Sequence, residues 1–235
     1  MSNSYFQFKK FIVHHANCAM KVGTDGVLLG AWVPLDRYKD ILDVGTGTGL
    51  IALQLAQRKE DAHIVAIEVD EEASKQAQEN VDLSPWSNRI EVVCQDFCTF
   101  ETNRKFDLIV SNPPYFVNAL HSPDEQRNMA RHVGKLNYEQ LFSRATLLLH
   151  QQGALALIIP AQVEKLVMDT AWKYGFSPQR ILRVYSKPGK TCNRLLIIFS
   201  VTESLCVNEE LCIRQKDDSY TSEYKEMTAD FYLHF

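Results

Sequence analysis

The segment ILDVGTGTGL, residues 41–50, decides the fold. Its first four residues form a short, mostly apolar run typical of a buried strand, and glycines at every second position from Gly45 to Gly49 then interrupt the run. Glycine lets the backbone approach a ligand closely, and a following helix offers unpaired N–H groups at its N-terminus. The segment therefore predicts a strand, a ligand-binding turn and a helix in succession.

Similar apolar runs recur along the chain and alternate with helical patterns, which is typical of a parallel sheet covered by helices. Helices are predicted at 50–60 and 71–81, and the turn at 187–189 joins two closing strands. We expect an α/β fold with a seven-stranded, mostly parallel sheet, an antiparallel closing strand and helices on both faces. The predicted strands are ILDVG (41–45), HIVAIEV (63–69), RIEVVC (89–94), FDLIVSN (106–112), GALALIIP (153–160), ILRVYSK (181–187) and RLLIIFSV (194–201).

Length and composition fit one domain. The 235 residues are 46% hydrophobic, which is enough to bury one sizeable core. No stretch reaches the roughly 20 apolar residues of a membrane helix, and the first residues lack the apolar region of a secretory signal, so we expect a cytoplasmic protein without a membrane partner. Six scattered cysteines form no C-x-x-C pair, which predicts free, mostly buried thiols and no metal site.

The spacing of the glycines separates two classes of nucleotide-binding turn. Counting from Gly45, the dinucleotide-binding pattern G-x-G-x-x-G requires glycine at position 50, where this chain has Leu50. The pattern D-x-G-x-G-x-G instead resembles the first motif of class I methyltransferases, a Rossmann-like family whose loop holds the methionine end of S-adenosylmethionine. This resemblance implies cofactor contacts by Asp43, Gly45, Gly47 and Gly49.

Acidic residues follow the next two predicted strands. Glu68 ends its strand nineteen residues beyond Gly49, where a carboxylate can accept hydrogen bonds from a ribose diol. Asp96 follows the third strand and precedes Phe97. In class I methyltransferases the equivalent acid contacts the adenine amino group of the cofactor, with an apolar neighbour against the ring.

The motif Asn112-Pro113-Pro114-Tyr115 follows the fourth strand. Two prolines donate no hydrogen bonds and hold the backbone extended, so the Pro113 carbonyl can be presented as a fixed acceptor beside the Asn112 side-chain oxygen. Two acceptors can orient an exocyclic NH₂ group, and Tyr115 offers a ring on which a base can stack. The motif resembles that of amino-directed methyltransferases, which implies that all four residues, including Pro114, belong to the catalytic site.

Two flanking segments narrow the choice of substrate. KVGTDGVLLGAW (21–32) and YTSEYKEMTADFYL (220–233), together with SNPPYF, resemble the bacterial tRNA(Val) adenine-37 N6-methyltransferase family over essentially the whole chain. The resemblance implies cofactor contacts by Lys21, Thr24 and Asp25, although Asp25 could instead cap the VLLGAW helix. We therefore divide the domain, residues 1–235, into a cofactor-covering segment (1–38), a core (39–203) and a C-terminal extension (204–235).

The same resemblance implies N6 methylation of an adenine beside the anticodon of tRNA(Val), with S-adenosylmethionine as methyl donor. Two alternatives stay open because N-P-P-Y recognises an NH₂ group rather than the molecule that bears it: methylation of guanine N2 in ribosomal RNA, or of glutamine N5 in a protein. A monomer is favoured, although the sequence does not determine the oligomeric state.

Basic residues mark two candidate RNA contacts. No acidic residue lies between Asp169 and Glu203, and a net charge of −4 does not exclude a local basic surface. Arg127, Arg131 and Lys135 follow the N-P-P-Y motif, so residues 127–135 could form a mobile lid. The first candidate surface comprises Lys173, Arg180, Arg183, Lys187, Lys190 and Arg194.

Overall fold

We describe a computed structural model of the chain for residues 3–16, 18, 21–113, 136–202 and 204–234. The strands of these ranges are β1 (Tyr5–Gln7), β2 (Ile12–His14), β3 (Asp40–Val44), β4 (His63–Glu68), β5 (Ile90–Cys94), β6 (Phe106–Ser111), β7 (Leu149–Pro160), β8 (Ser177–Tyr185), β9 (Cys192–Ser200) and β10 (Val207–Cys212). The α-helices of the same ranges are α1 (Thr24–Trp32), α2 (Leu50–Arg58), α3 (Glu71–Asp82), α4 (Tyr138–Leu148), α5 (Glu164–Lys173) and α6 (Ser222–Thr228). None of these helices has the length and hydropathy needed to cross a membrane.

Among the described residues, eight strands form the central sheet, in the order β10-β8-β9-β7-β6-β3-β4-β5. Only β9 runs antiparallel to its neighbours β7 and β8, and every other pairing within this sheet is parallel. The predicted α/β fold with its antiparallel closing strand is thus confirmed. The expected seven strands become eight because β10, within the C-terminal extension, pairs with the edge of β8.

The central strands β3, β4 and β6 are mostly apolar and buried because both faces of the sheet are covered. Side chains alternate between two cores: Ile41 and Leu108 point into one, while Leu42 and Ile109 point into the other. Apolar residues of α1, α2 and α3 complete the first core, and those of α4 and α5 complete the second. Helices on both faces follow from this alternation.

Helix α1 packs directly across α2 through a glycine. A Cβ added at Gly30 would lie 2.4 Å from Oε1 of the buried Gln54, so a side chain there has no room. Gln54 Nε2 donates to the carbonyl of Val27 at 3.2 Å. At the other end of α1, Arg58 Nη1 donates to the carbonyls of Gly30 and Val33 at 2.7 and 2.8 Å. These contacts fix α1, and with it the segment that precedes it, against α2.

The N-terminal hairpin and the C-terminal segment meet on the outside of this layer. Strands β1 and β2 pair antiparallel, and the backbone N–H of Lys9 donates to the carbonyl of Phe231 at 2.8 Å. The Phe8 ring lies 6.5 Å from that of Phe231 and 6.0 Å from that of Tyr232. The hairpin is also anchored to α3, because Asn80 exchanges two 2.8 Å hydrogen bonds with the backbone of His14.

The six cysteines are all free thiols, as expected. The prediction that they are mostly buried is wrong, since Cys94 is exposed and the other five are partly exposed. Within the described ranges no group of three His, Cys, Asp or Glu residues could hold a metal ion, and the absence of a metal cofactor stays a prediction.

Candidate functional site

The candidate site lies at the carboxyl ends of four adjacent strands. The order β6-β3-β4-β5 places the turns that follow these strands in a row, and β3 is the strand from which the sheet extends in both directions. In open α/β sheets, ligands bind in the crevice formed at such a switch point. Val44 and Ser111 are register partners at the ends of β3 and β6, and Ser111 Oγ donates to the Val44 carbonyl at 2.8 Å. The glycine turn and Asn112 therefore follow two strand ends that are held together.

The glycine turn is tied to β4 on one side and open on the other. The backbone N–H groups of Gly45 and Thr46 donate to the Ile67 carbonyl at 2.9 and 3.0 Å. Gly45 and Gly47 have positive φ angles of 70° and 57°, and a Cβ on either would meet nothing within 4 Å. This open backbone surface leaves room for a ligand to approach the turn closely.

Asp43 supports the turn from beneath. It is fully buried, and its Oδ2 accepts hydrogen bonds from Thr46 Oγ1 at 2.5 Å and from the Ala52 N–H at 3.2 Å. Burial raises the pKa of Asp43 to about 7, against the opposing effect of these two donors. Its Oδ1 accepts no hydrogen bond from the described residues. Asp43 is not among the residues that line the cavity described below, and its contact with the cofactor stays a prediction.

Gly49 also differs from its expected role. Its φ of 80° lets the chain turn into α2, and a Cβ there would face Ala77 of α3 at 3.7 Å. Gly49 therefore serves the start of α2 and its packing against α3, whereas Gly45 and Gly47 border the open space.

Glu68 closes the turn from the β4 side. Its Oε2 accepts from the Gly47 N–H at 2.9 Å, and its Oε1 accepts from the N–H groups of Val69 and Asp70 at 2.9 and 3.0 Å. A carboxylate has about four acceptor positions, so about one remains on Oε2 for a ribose hydroxyl. The residue predicted to bind ribose thus also holds the glycine turn in place.

Asp96 and Phe97 lie beyond the end of β5, next along the row. Asp96 Oδ1 accepts from the Cys98 N–H at 2.8 Å and so begins the 3₁₀ turn Phe97–Thr99. Phe97 is only 4% exposed and packs into the second core. Asp96 stays at the predicted strand end, while the Phe97 ring serves mainly as part of the core.

A cavity of about 280 Å³ lies between the start of α1 and the glycine turn. It brings together six of the predicted site residues, from three separate stretches of sequence, and so joins the glycine turn to the first residue of the N-P-P-Y motif. Several wall residues were not predicted from the sequence, although two of them, Thr46 and Thr48, are threonines that alternate with the glycines. The lining residues are Lys21, Gly23, Thr24, Asp25, Gly26, Gly45, Thr46, Gly47, Thr48, Leu50, Ile51 and Asn112.

Asp25 is held at the cavity wall by an ion pair. Helix α1 begins after Gly23, which has no side-chain cap, so the alternative role of Asp25 as helix cap is wrong. Asp25 lies in the first turn, and its Oδ2 accepts from Arg194 Nε at 2.8 Å. Arg194, predicted as an RNA contact, thus acts on the cofactor cavity from β9.

Half of the N-P-P-Y motif is described. Asn112 lines the cavity and Pro113 is buried directly after β6. Pro114, Tyr115 and the predicted lid at 127–135 lie outside the described residues.

The predicted basic surface is largely neutralised by acids from other parts of the chain. Five of its six residues form ion pairs between 2.6 and 2.8 Å long, and Lys190 is exposed without an acidic partner in the described residues. Because these partners come from distant segments, a local count of acids could not reveal them. The pairs are Lys173 with Glu139, Arg180 with Glu209, Arg183 with Glu164, Lys187 with Asp218 and Arg194 with Asp25.

Comparison with known proteins agrees with this geometry. The model of the methyltransferase small domain family matches residues 18–170. A tRNA1(Val) (adenine(37)-N6)-methyltransferase of Bacteroides thetaiotaomicron is 52% identical over 235 residues, which cover 100% of this chain and 99% of that protein. A protein of the same name from Tolumonas auensis is 43% identical over 234 residues, covering 99% and 98% of the two chains.

A solved structure shares the fold. It is a predicted O-methyltransferase from Agrobacterium tumefaciens with a TM-score of 0.69 and 21% sequence identity, covering 88% of this chain and 96% of that one. At this identity the similarity shows the fold alone.

Proposed function

Because this chain belongs to the methyltransferase small domain family and, within it, to the tRNA1(Val) (adenine(37)-N6)-methyltransferases, we propose that it methylates N6 of adenine 37 in tRNA1(Val). It is a methyltransferase that uses S-adenosylmethionine, which supplies the transferred methyl group from its sulfonium. The observation that carries the amino-directed chemistry is the position of Asn112 in the same cavity as Gly45 and Gly47.

The cofactor would be held along the row of strand ends. Its methionine end would lie over Gly45 and Gly47, with Lys21, Thr24 and Asp25 on the opposite wall. The free acceptor position on Glu68 supports a contact with the ribose, and the place of Asp96 beyond β5 supports a contact with the adenine amino group.

Asn112 and Pro113 would then orient the reacting amine. Their two oxygens would accept hydrogen bonds from the two N–H groups of the exocyclic amine and so would turn its nitrogen toward the methyl donor. The same oxygens would also stabilise the positive charge that an amine nitrogen gains when it accepts a methyl group, and its proton would be lost to solvent. Stacking on Tyr115 would fix the plane of the base, and Pro114 would keep the motif extended.

The RNA must also be held outside the cavity. Of the basic residues at 173–194, Lys190 is best placed for a phosphate because its side chain is exposed and forms no ion pair with an acidic residue of the described ranges. Arg127, Arg131 and Lys135 remain candidates for a lid. The same proposal includes four further expectations. The chain forms a single domain over residues 1–235, acts as a monomer, holds no metal and is located in the cytoplasm, where tRNA is found.

The test uses total tRNA, ribosomal RNA and a protein extract, each incubated with the enzyme and methyl-labelled S-adenosylmethionine. Mass spectrometry of digested RNA should find N6-methyladenosine, and a tRNA1(Val) anticodon stem-loop in which adenine 37 is replaced by guanine should accept no label. Label in 2-methylguanosine would favour the ribosomal RNA alternative, and label in protein glutamine the other; either result would overturn adenine as the target.

A further inference from the structure

The wall of the cofactor cavity, the space of about 280 Å³ between the start of α1 and the glycine turn, carries two opposite charges. Lys21 and Asp25 are the only charged residues among the described residues that line it. The methionine end of S-adenosylmethionine carries a carboxylate and an ammonium group, and one base and one acid in the wall match these two charges. The direction in which the Asp25 carboxylate points should therefore affect how tightly this end is held.

The Asp25 carboxylate is held by a side chain from another part of the fold. The residue before α1 is Gly23, which has no side chain to cap the helix, and the hydrogen bonds from α2 reach the carbonyls of Val27 and Gly30 further along. Asp25 lies in the first turn, and its Oδ2 accepts from Arg194 Nε at 2.8 Å. The two side chains are 24% and 32% exposed, so solvent screens this ion pair only in part.

Arg194 comes from outside the row of strand ends that would hold the cofactor. Strand β9 lies two strands beyond β6, on the side away from β3. Because β9 runs antiparallel to β7, its first residues lie beside the carboxyl end of β7, and Arg194 is the register partner of Pro160. The arginine therefore starts from the same edge of the sheet as the glycine turn, although it is 169 residues away from Asp25 in the sequence.

A second arginine holds the opposite end of α1. Arg180 of β8 donates two hydrogen bonds to Glu209, at 2.7 and 2.8 Å, and its guanidinium lies 5.0 Å from the centre of the Trp32 ring. Trp32, the last residue of α1, donates to the same carboxylate at 3.1 Å. The side chains of Arg180 and Glu209 are 31% and 33% exposed. This ion pair therefore resembles the first one, but it acts about 10 Å further along the helix and has no residue in the cavity wall.

We propose that Arg194 is a positioning residue for methyl transfer. Its ion pair holds the Asp25 carboxylate in the wall of the cofactor cavity, where that carboxylate binds the ammonium group of S-adenosylmethionine. Arg194 acts through Asp25 and needs no contact with the reacting atoms or with RNA. This inference rests on the proposed function, since it takes the cofactor cavity as the place of the methionine end.

Positioning and simple neutralisation of Asp25 predict opposite results. Removing Arg194 leaves a more negative potential at Asp25, and charge alone would then strengthen the binding of S-adenosylmethionine, which has a net positive charge. If Arg194 positions Asp25, a carboxylate released from it binds the ammonium group less well and the affinity decreases. S-adenosylhomocysteine keeps the ammonium group without the sulfonium charge, so its affinity should decrease by a similar factor.

The experiment measures both affinities by calorimetry on the full chain without RNA. Arg194→Gln should weaken the binding of both ligands by about tenfold. A double variant of Arg194→Gln and Asp25→Asn should bind no more weakly than Asp25→Asn alone, because the two residues act as one unit. Arg194→Lys should bind nearly as the parent does, since the lysine ammonium lies one bond beyond the position of Nε and can donate to the same oxygen.

Steady-state kinetics give a second readout, with total tRNA as the methyl acceptor. Arg194→Gln should raise KM for S-adenosylmethionine, while kcat and KM for tRNA stay nearly unchanged, because the lost interaction concerns cofactor binding. An RNA contact would instead raise KM for tRNA.

Two control variants separate this role from damage to the fold. Arg180→Gln breaks the matched ion pair at the far end of α1 and, whatever its effect on the midpoint of urea unfolding, should leave cofactor affinity unchanged. Gly47→Ala reports on the placement of the cofactor itself, because its Cβ would enter the open space beside the turn.

Unchanged or stronger cofactor binding by Arg194→Gln would overturn the inference, and a raised KM for tRNA alone would make Arg194 an RNA contact. Equal losses of affinity in Arg194→Gln and Arg180→Gln would also overturn it, because a general loosening of α1 would explain both. If Gly47→Ala weakened cofactor binding in these cases, the placement of the cofactor would stand without a role for Arg194. Normal cofactor binding by Gly47→Ala would refute that placement and the inference with it. Failure to methylate adenine 37 would refute the proposed target alone, since the calorimetry contains no RNA.

Discussion

Replacing Gly30 by alanine tests whether the contact between α1 and α2 is as close as the structure shows. The added Cβ would lie 2.4, 2.7 and 3.0 Å from Oε1, Cδ and Cβ of Gln54, a side chain that is fully buried. Because these atoms are enclosed, Gln54 must leave its position and lose its hydrogen bond to Val27.

The expected cost follows from three effects. Overpacking a core costs about 1–3 kcal/mol, and the lost hydrogen bond about 1 kcal/mol more. Alanine in place of glycine within a helix returns about 1 kcal/mol. The free energy of unfolding should therefore fall by about 1–3 kcal/mol, and each kcal/mol lowers the melting temperature by roughly 2–4 °C for a chain of this size.

Urea unfolding of four proteins completes the test: the parent, Gly30→Ala, Gln54→Ala and the double variant. Since Gln54→Ala removes the two closest colliding atoms, the double variant should be more stable than the sum of the single losses by about 1 kcal/mol or more. Gly30→Ala should also bind S-adenosylhomocysteine more weakly in calorimetry, because α1 carries Thr24 and Asp25 to the cavity. A Gly30→Ala protein at least as stable as the parent would refute the reasoning, because helix propensity alone predicts that outcome.

Three further predictions concern the site itself. Asn112→Ala should abolish methyl transfer while leaving cofactor affinity, measured by calorimetry, nearly unchanged; lost cofactor binding would assign Asn112 to the wrong half of the site. Gly47→Ala should weaken cofactor binding by tenfold or more at a stability cost of only about 1 kcal/mol, because its Cβ would enter the open space at a φ of 57°; unchanged affinity would place the cofactor elsewhere. The third concerns Asp43, whose pKa of about 7 in the folded protein exceeds its ordinary value of 3.8. Between these two pH values the folded protein keeps a proton on Asp43 that the unfolded chain releases. The free energy of unfolding should therefore decrease as pH rises from about 4 to about 7. Asp43→Asn should remove that part of the pH dependence in urea unfolding between pH 4 and 8, and an unaltered slope would contradict a buried, titrating Asp43.

The parallel core of the fold was predictable because its signals are local. Each of the predicted strands is an apolar run, and the run from Ile41 onward ends in glycines that are typical of a ligand-binding turn. Strand β10 was not predictable in this way, since VNEELC has three consecutive polar residues and becomes a strand only by pairing with the edge of β8. The hairpin of β1 and β2 is similarly short and depends on its packing against Phe231 and Asn80.

The positions of site residues could be predicted where each residue comes directly after a predicted strand. The glycine turn, Glu68 and Asn112 could be located because parallel strands bring their carboxyl ends to one edge. The distribution of charge could not be predicted, because the acids that pair with Arg180, Arg183 and Arg194 lie between 19 and 169 residues away in the sequence. Residues that form a basic run in the sequence are therefore mostly paired with acidic residues in the folded protein.

The hydrogen bond from Ser111 to Val44 has an evolutionary consequence. It joins the ends of β3 and β6 inside the sheet, so the distance between the glycine turn and Asn112 is inherited with the strand pairing and does not depend on the terminal hairpin or on α6. Changes in the hairpin and in the C-terminal helix could then redirect the enzyme to another amino-bearing molecule while the reaction geometry is conserved. New substrate specificities within such a scaffold should therefore arise through its two ends, with the centre left intact.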